Sequence, residues 1–192
     1  MNKVKFGLKN VHYSVVSEAY DDETKSWTSS YTKPERWPGA VNLTLSAEGS
    51  DDPFYADDIQ YFISSSNLGY SGDFESALIP DDVYEKVLGQ KRDDNGLLVE
   101  SATDTKKYIA LLFEVSGDSK AVRYCFYKCM LGRPNVDEST KAETTEPKTE
   151  SVSIKVIPRA EEDHYIKCKA DDKTTTGYTT FFNSVPVPSF AE

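Results

Sequence analysis

The chain has 192 residues, of which 38% are hydrophobic and 28% are charged, and it contains twelve Tyr, nine Phe and two Trp. This balance argues against global disorder and fits a single folded domain over residues 1–192. Acidic residues outnumber Lys and Arg by 32 to 22, which gives a net charge of −10. Nucleic-acid affinity depends on Lys and Arg that neutralise phosphates, so the composition argues against tight binding of DNA or RNA.

The first part of the chain predicts one strand and one polar arm. The strand is expected at residues 11–16, and the arm follows over residues 17–38. The arm carries Trp27 and Trp37, together with two tyrosines. Two interpretations remain open: these aromatic side chains cap the edge of the core, or they anchor the arm on a neighbouring subunit.

The next part alternates apolar and polar residues with a period of two, which is typical of strands with one buried face. An acidic loop at residues 48–58 interrupts the pattern, and we expect its Phe54 and Tyr55 to bury themselves against another subunit. The inward set of the first strand is expected to be Val41, Leu43, Leu45 and Ala47. Strands are predicted at residues 40–47, 58–65 and 68–78.

The last of these strands separates apolar from charged side chains. Phe74 and Leu78 should face the core, while Asp73 and Glu75 occupy the polar face. Water must reach that polar face, and the helix predicted next would cover the opposite face.

One short helix is predicted at residues 80–89. Pro80 suits its first turn, Asp82 and Glu85 have the spacing of a capping box, and Gly89 suits its end. Two turns are too short to be stable alone, so the helix must pack against the strands.

The C-terminal half predicts a hairpin and three further strands. The fold expected from all these elements is mainly β, a two-sheet β-sandwich or distorted barrel with one short flanking helix. The predicted elements are a short strand at 97–99, hairpin strands at 107–116 and 121–131, strands at 151–157, 165–169 and 178–185, and an extended tail at 186–192.

A long polar linker, residues 132–150, joins two of these strands and contains almost nothing apolar. Loops of this length are uncommon in compact domains and are usually functional or disordered. A β-scaffold with long polar arms suggests a protein that assembles.

Cysteine usage favours a reducing compartment. Cys125 and Cys129 are expected on one strand face about 13 Å apart, too far for a disulfide. Pairing of Cys168 with either of them stays open, although small buried hydrophobes are the favoured interpretation. No signal peptide or membrane span is expected, since the longest apolar run is Ile109 to Phe113.

Tests for chemistry find no catalytic centre. His12 and His164 lack the sequence context of a catalytic triad, and the cysteines lack the paired spacing of a zinc site. The doublets Asp51-Asp52 and Asp57-Asp58 could hold a cation or supply the carboxylates of a glycosidase, but a solvated or subunit-contacting loop is the better interpretation. We therefore expect no enzymatic activity, no metal and no cofactor.

An ordered set of motifs resembles the major tail proteins of long, non-contractile-tailed phages and prophages of Gram-positive hosts. The resemblance spans nearly the whole chain. One departure is the C-terminal end around Phe181, where such proteins would be expected to carry a Trp. The motifs are Phe6-Gly7-Leu8-Lys9-Asn10-Val11, Pro38-Gly39-Ala40-Val41, Phe54-Tyr55-Ala56-Asp57-Asp58, Ser64-Ser65-Ser66-Asn67-Leu68-Gly69-Tyr70-Ser71-Gly72, Ala77-Leu78-Ile79-Pro80-Asp81, Ala110-Leu111-Leu112-Phe113-Glu114, Arg133-Pro134 and Pro147-Lys148-Thr149-Glu150.

The resemblance implies a tail-tube protein of the virion, assembled in the host cytoplasm. Hexameric rings would stack into a tube through which double-stranded DNA passes without specific binding. The implied protein partners are other copies of the chain and the tape-measure, tail-terminator and distal tail proteins, and no membrane is involved. The candidate interface residues are Phe54, Tyr55, Asp57, Asp58, Trp27, Trp37, Arg133 and Pro134, and the candidate lumen residues are Asp73 and Glu75.

The alternative is a monomeric β-sandwich that binds a host surface or a glycan, as a module of a tail tip or a capsid decoration. The Tyr and Trp side chains of the polar arm could then stack on sugar rings. The oligomeric state of the pure protein distinguishes the two hypotheses.

Overall fold

A computed structural model describes residues 3–138, 140 and 147–190, and contains thirteen strands and two short helices within them. Most of the predicted linker is therefore visible, but its residues 139 and 141–146 lie outside the described part. The elements are β1 (Lys5–Asp21), β2 (Ser26–Tyr31), β3 (Glu35–Arg36), β4 (Ala40–Glu48), β5 (Asp51–Ala56), β6 (Ile59–Ser65), β7 (Gly69–Ser76), α1 (Asp81–Lys86), β8 (Lys91–Arg92), β9 (Leu98–Val99), β10 (Tyr108–Gly117), β11 (Val122–Leu131), β12 (Glu150–Val156), β13 (Lys167–Ala170) and α2 (Thr176–Thr179).

Nine of the strands form one antiparallel sheet. Its order is β2-β1-β10-β11-β12-β7-β4, with β13 paired to β11 and β3 paired to β1. The strands β5 and β6 pair with each other, as do β8 and β9. The predicted mainly-β, sandwich-like fold is confirmed. Its two layers belong to one continuous sheet, because β12 pairs with both β11 and β7.

The apolar side chains form two clusters on opposite faces of β10 and β11. The main core lies between β4, β7 and β12 on one side and β1, β10 and β11 on the other, with α1 at its edge. The second core lies under the C-terminal segment and includes Tyr127, Phe181 and Val185. Burial on both faces explains why β10 is apolar over almost its whole length.

A β-bulge in β11 corrects the predicted placement of the cysteines. The register shifts between the pairs Ile109–Cys129 and Leu111–Phe126, so one extra residue enters β11. An extra residue reverses the side-chain alternation beyond it. Cys125 therefore faces the second core and Cys129 the main core, and the two do not share a face as the sequence predicted.

Much of the predicted polar arm is regular β-structure. β1 continues to Asp21 and turns into β2, so the strand expected at residues 11–16 is one part of a 17-residue strand. Glu18 on this extension accepts a hydrogen bond from Lys128 at 2.5 Å and another from the Ala160 amide at 3.1 Å. The buried ion pair and the cross-strand pairing hold the hairpin against the body.

Three positions in and after the paired strands β4 and β7 differ from the prediction, and one of them is Ala47, which is exposed although it was expected to face inward. A register irregularity between Ala40 and Asn42 turns Val41 outward, where it is 51% exposed, and Ala40 contacts the main core in its place. Leu78 lies beyond the end of β7 and is exposed. Leu43 and Phe74 face the core as predicted.

The one predicted helix forms, but its predicted capping does not. α1 forms within the expected range, but Pro80 is its N-cap and no side chain of the described residues caps it, so the Asp82–Glu85 capping box does not form.

The strand predicted at residues 178–185 is wrong, because the chain there forms α2 and then irregular turns. Tyr178, Phe181 and Val185 are buried at spacings of three and four residues, a helical rather than a strand period.

Trp37 lies in the main core and does not anchor an arm on a neighbouring subunit, which decides between the two interpretations of this side chain. It is 1% exposed, packs edge-on against Tyr13 and Phe74, and donates its indole N–H to the Ser76 hydroxyl at 3.2 Å. Trp27 is 44% exposed and contacts the ring of Tyr20.

The two tryptophans should therefore differ sharply in their contribution to stability. We expect Trp37→Ala to lower the free energy of unfolding by about 3–5 kcal/mol, since it opens a large cavity in the core. Trp27→Ala, the matched control, should lower it by less than about 1 kcal/mol. Urea titration followed by circular dichroism measures both, and equal losses would contradict the assignment of Trp37 to the core.

Candidate functional site

The predicted acidic loop is one strand of a projecting hairpin, formed by β5 and β6 over residues 51–65. The hairpin continues the β4–β7 ribbon beyond the body, since Leu68 N–H donates to the Glu48 carbonyl and Ser66 N–H to the Ser50 carbonyl, both at 2.9 Å. At the junction, a Cβ atom on Gly49 would collide with the Ser66 carbonyl, so the close approach of the two chains requires glycine there.

Asp57 and Asp58 form the tip of the projecting hairpin. They are the two residues between β5 and β6, and both have left-handed backbone angles, with φ of 53° and 60°. Two such residues define a type I′ turn, which matches the twist of paired strands, and Asp tolerates this conformation better than most residues. Chain reversal accounts for this doublet, and the described residues contain no cluster of three or more His, Cys, Asp or Glu that could hold a metal ion.

The projecting hairpin is apolar on both faces, and no third strand of the described chain pairs with it. Among the described strands, β5 and β6 pair only with each other. An isolated two-stranded hairpin is marginally stable in water, and contiguous exposed apolar surface marks interaction sites. Six large apolar side chains are exposed to solvent along it: Phe54 60%, Tyr55 63%, Ile59 60%, Tyr61 70%, Phe62 61% and Ile63 51%.

The charge of the projecting hairpin has a single sign. Asp51 and Asp52 lie near its base and the Asp57-Asp58 turn at its tip, while residues 51–65 include no Lys or Arg. A surface that covers this hairpin must therefore combine apolar area with positive charge.

A groove with those properties opens where β4 faces β1, β10 and β11. It exists because β4 is the last strand in the sheet order and does not pair with β1. The groove has a volume of about 560 Å³. We call it the lysine-rimmed groove, and its lining consists of Lys5, Leu8, Asn42, Leu43, Leu45, Phe113, Val115, Tyr124, Phe126 and Lys167.

The two lysines of this groove carry charge that the described part of the chain does not neutralise with a carboxylate. Lys5 donates to the Tyr124 hydroxyl and Lys167 to the Tyr70 hydroxyl, each at 2.5 Å. Each ammonium group also lies over the ring of the tyrosine to which it donates. A hydroxyl and a π-face leave the positive charge of each lysine without a carboxylate partner among the described residues.

The other candidate interface residues are not part of this hairpin or this groove. Trp37 is buried, and Trp27 lies on β2 at the opposite end of the sheet order from β4. Arg133 follows β11 and pairs with Glu100 at 3.2 Å. Pro134 lines a separate depression beside α1.

Asp73 and Glu75 lie on the outer face of a three-stranded region rich in hydroxyl groups. Asp73 is flanked by Thr44 and Ser153 on the neighbouring strands, and Glu75 accepts a hydrogen bond from the Thr149 hydroxyl at 2.5 Å. Sequence reasoning found the two carboxylates but missed these neighbours, because it could not tell which strands pair with β7. We call the surface the hydroxyl-rich face, formed by Asn42, Thr44, Ser46, Ser71, Asp73, Glu75, Ser151, Ser153 and Lys155.

Comparisons with known proteins do not group this chain with others: no family model matches it, and no curated protein matches it. Within the described residues, no helix is long and apolar enough to cross a membrane.

Proposed function

We propose that the chain is a structural protein that polymerises, with the projecting hairpin of one copy seated in the lysine-rimmed groove of the next. The observation that carries the proposal is the hairpin itself, which exposes six large apolar side chains on both of its faces. The motif resemblance described above supports a specific form of this polymer, the tail tube of a long, non-contractile phage tail.

The free energies of apolar burial and of association support a contact of this kind as one part of a larger interface. Fully burying one large apolar side chain is worth about 1.5–3 kcal/mol, and these six are 51–70% exposed. Covering all of them would gain on the order of 5–10 kcal/mol. Association costs about 4–15 kcal/mol, so the hairpin contact roughly offsets this cost and needs further contacts for a stable polymer.

The free edges of the sheet can supply those further contacts. β2 and β4 stand at opposite ends of the strand order, and each has one unpaired edge among the described strands. Exposed edges readily pair with other strands. Because the hairpin and the groove are different surfaces, the contact is head-to-tail, and head-to-tail contacts close into rings or extend into filaments.

The hydroxyl-rich face fits the wall of a channel for DNA. Its hydroxyl groups would keep it wet, while Asp73 and Glu75 would repel phosphate. In hexameric rings each carboxylate would repeat six times, and rings stacked into a tube would let double-stranded DNA pass without binding. The tape-measure, tail-terminator and distal tail proteins are the further partners of such a tube in the virion, which would be assembled in the host cytoplasm.

The second candidate is a monomeric host- or glycan-binding module. The observation that favours it is the exposed ring pair Tyr20–Trp27, with centroids 5.3 Å apart, which could stack on a sugar. A stable monomer at high concentration that binds glycans would support this alternative and contradict the polymer.

The first test of the polymer changes the hairpin. We expect wild-type protein to form rings or tubes in mass photometry and negative-stain electron microscopy, and Phe54→Ser with Tyr55→Ser to remain monomeric. The double variant should keep the unfolding midpoint of the monomer within a few degrees, because both side chains are more than half exposed. Unfolding of the variant monomer would instead identify these residues as core.

A matched control uses exposed apolar side chains elsewhere. Leu97 is 63% and Val99 49% exposed beside the separate β8–β9 pair. Leu97→Ser with Val99→Ser should polymerise like wild type. A loss of polymers in this control would mean that general surface polarity, and not the hairpin, controls assembly.

The second test examines the charge match between hairpin and groove. Lys5→Glu with Lys167→Glu should reduce polymer yield at least tenfold, since it places like charges opposite the hairpin carboxylates. Adding Asp51→Lys and Asp52→Lys in the same chain should restore a large part of the yield. Failure of the reversal to restore polymers, with the monomer still folded, would assign the lysines another role.

The third test concerns the channel. Asp73→Lys with Glu75→Lys should still permit assembly, because neither residue packs in the core, but should slow DNA ejection from particles through attraction to phosphate. A control with the same charge change at the β1–β2 turn, Asp22→Lys with Glu23→Lys, should eject normally. Normal ejection by both variants would place the hydroxyl-rich face outside the channel.

A further inference from the structure

We propose that Cys125 and Cys168 form a redox-sensitive modification site, at which a low-molecular-weight disulfide oxidises the two thiols to a cross-strand bridge between β11 and β13. The inference is independent of the polymerisation proposed above, because it concerns the interior of a single chain. It also resolves the cysteine pairing that the sequence left open.

The register of the two strands brings the cysteines together. Cys125 lies directly opposite Cys168 in the antiparallel β11–β13 pair. Tyr127 N–H donates to the Ile166 carbonyl at 3.0 Å, and hydrogen-bonded pairs recur every second residue, so Cys125 and Cys168 also occupy a hydrogen-bonded pair. The Cα atoms of such a pair are about 5.5 Å apart, which lies within the range that disulfides span.

The β11 bulge makes this pairing specific. Cys125 and Cys168 both contact the second core, whereas the bulge turns Cys129 into the main core on the opposite face of the sheet. Both Cys125 and Cys168 are free thiols in the structure. The third cysteine cannot reach either of them without rearranging the sheet.

The two thiols differ in the way that a disulfide exchange requires. Cys168 is partly exposed and lines a surface depression of about 380 Å³ beside Pro186, whereas Cys125 is fully buried. A hydrogen bond with the Cys125 thiol lowers the pKa of Cys168, against the effect of its burial. Burial raises the pKa of Cys125. Cys168 is therefore the attacking thiolate and Cys125 the resolving thiol.

The exchange can be written with oxidised glutathione as the small disulfide. The Cys168 thiolate attacks one sulfur of glutathione disulfide, and the first glutathione thiolate leaves. Cys125 sulfur then attacks Cys168 sulfur, and the second glutathione thiolate leaves and takes up the Cys125 proton. Two protein thiols lose two electrons in total, and one glutathione disulfide becomes two glutathione thiols.

The bridge would fasten the C-terminal part of the chain to the sheet. β13 pairs only with β11 among the described strands, and the segment after it fills the second core with Phe181 and Val185. Tyr127 extends this attachment, because its hydroxyl donates to the Pro186 carbonyl at 2.9 Å. A protein that leaves a reducing cytoplasm for an oxidising exterior would become more stable by this route.

The test oxidises the folded, purified wild-type chain with glutathione disulfide at pH 8. We expect peptide mapping under non-reducing conditions to find Cys125 joined to Cys168, and the unfolding temperature to rise by about 5–15 °C, an increase that dithiothreitol removes. Brief alkylation of the reduced protein should modify Cys168 well before Cys125.

Two variants separate the bridge from nonspecific oxidation. Cys168→Ser should abolish the thermal shift, while Cys129→Ala should keep the shift even if its starting stability is lower. Circular dichroism checks that each variant is folded, and the wild-type peptide map does not depend on either. No bridge after prolonged oxidation, a bridge that includes Cys129, or a bridge without thermal stabilisation would each overturn the proposal.

Discussion

The structure depends on the way β12 connects its two layers. β12 pairs with β7 along Glu150–Val156 but with β11 only where Cys129–Leu131 face Ile154–Val156. The sheet can therefore fold over while hydrogen bonding continues across the fold, and Val152, Ile154 and Val156 all point into the enclosed core. The same geometry leaves one edge of β4 without a partner among the described strands. The lysine-rimmed groove and the free edge of β4 both follow from this incomplete closure.

The body and the projecting hairpin differ in the pairing of their charged side chains and in the burial of their apolar side chains. In the body, buried charges are paired within the chain: Glu114 contacts Lys9 and Arg123, and Arg159 contacts Glu161. An uncompensated buried charge would be strongly unfavourable, so the folded state requires both members of each pair. The hairpin has the reverse character, because no Lys or Arg of the described residues pairs with its carboxylates and its large apolar side chains are exposed. The proposed association would cover this surface.

The sequence predicts the fold well wherever one local rule decides the outcome. Alternation correctly located β12 and the β10–β11 hairpin, and the apolar run in β10 agrees with burial on both faces. Two errors arose where a second rule competes. The bulge in β11 reverses the faces of Cys125 and Cys129 without any sign in the composition. The spacing of Tyr178, Phe181 and Val185 was helical, although the aromatic and β-branched residues around it favoured a strand.

The candidate site was only partly predictable, for a related reason. An Asp-Asp pair between two apolar runs is a type I′ turn signal, and it could have identified β5, which was predicted as part of a loop, as the partner of the strand predicted at residues 58–65. Alternation correctly predicted the strand at residues 58–65, but it could not show that both faces of this strand are exposed, since apolar residues on both faces are the usual mark of a strand buried inside a protein. Here both faces are exposed in the single chain. This strand has the composition of an interior strand but lies at the surface, so no layer of the single chain covers it. A second copy of the chain could provide that layer.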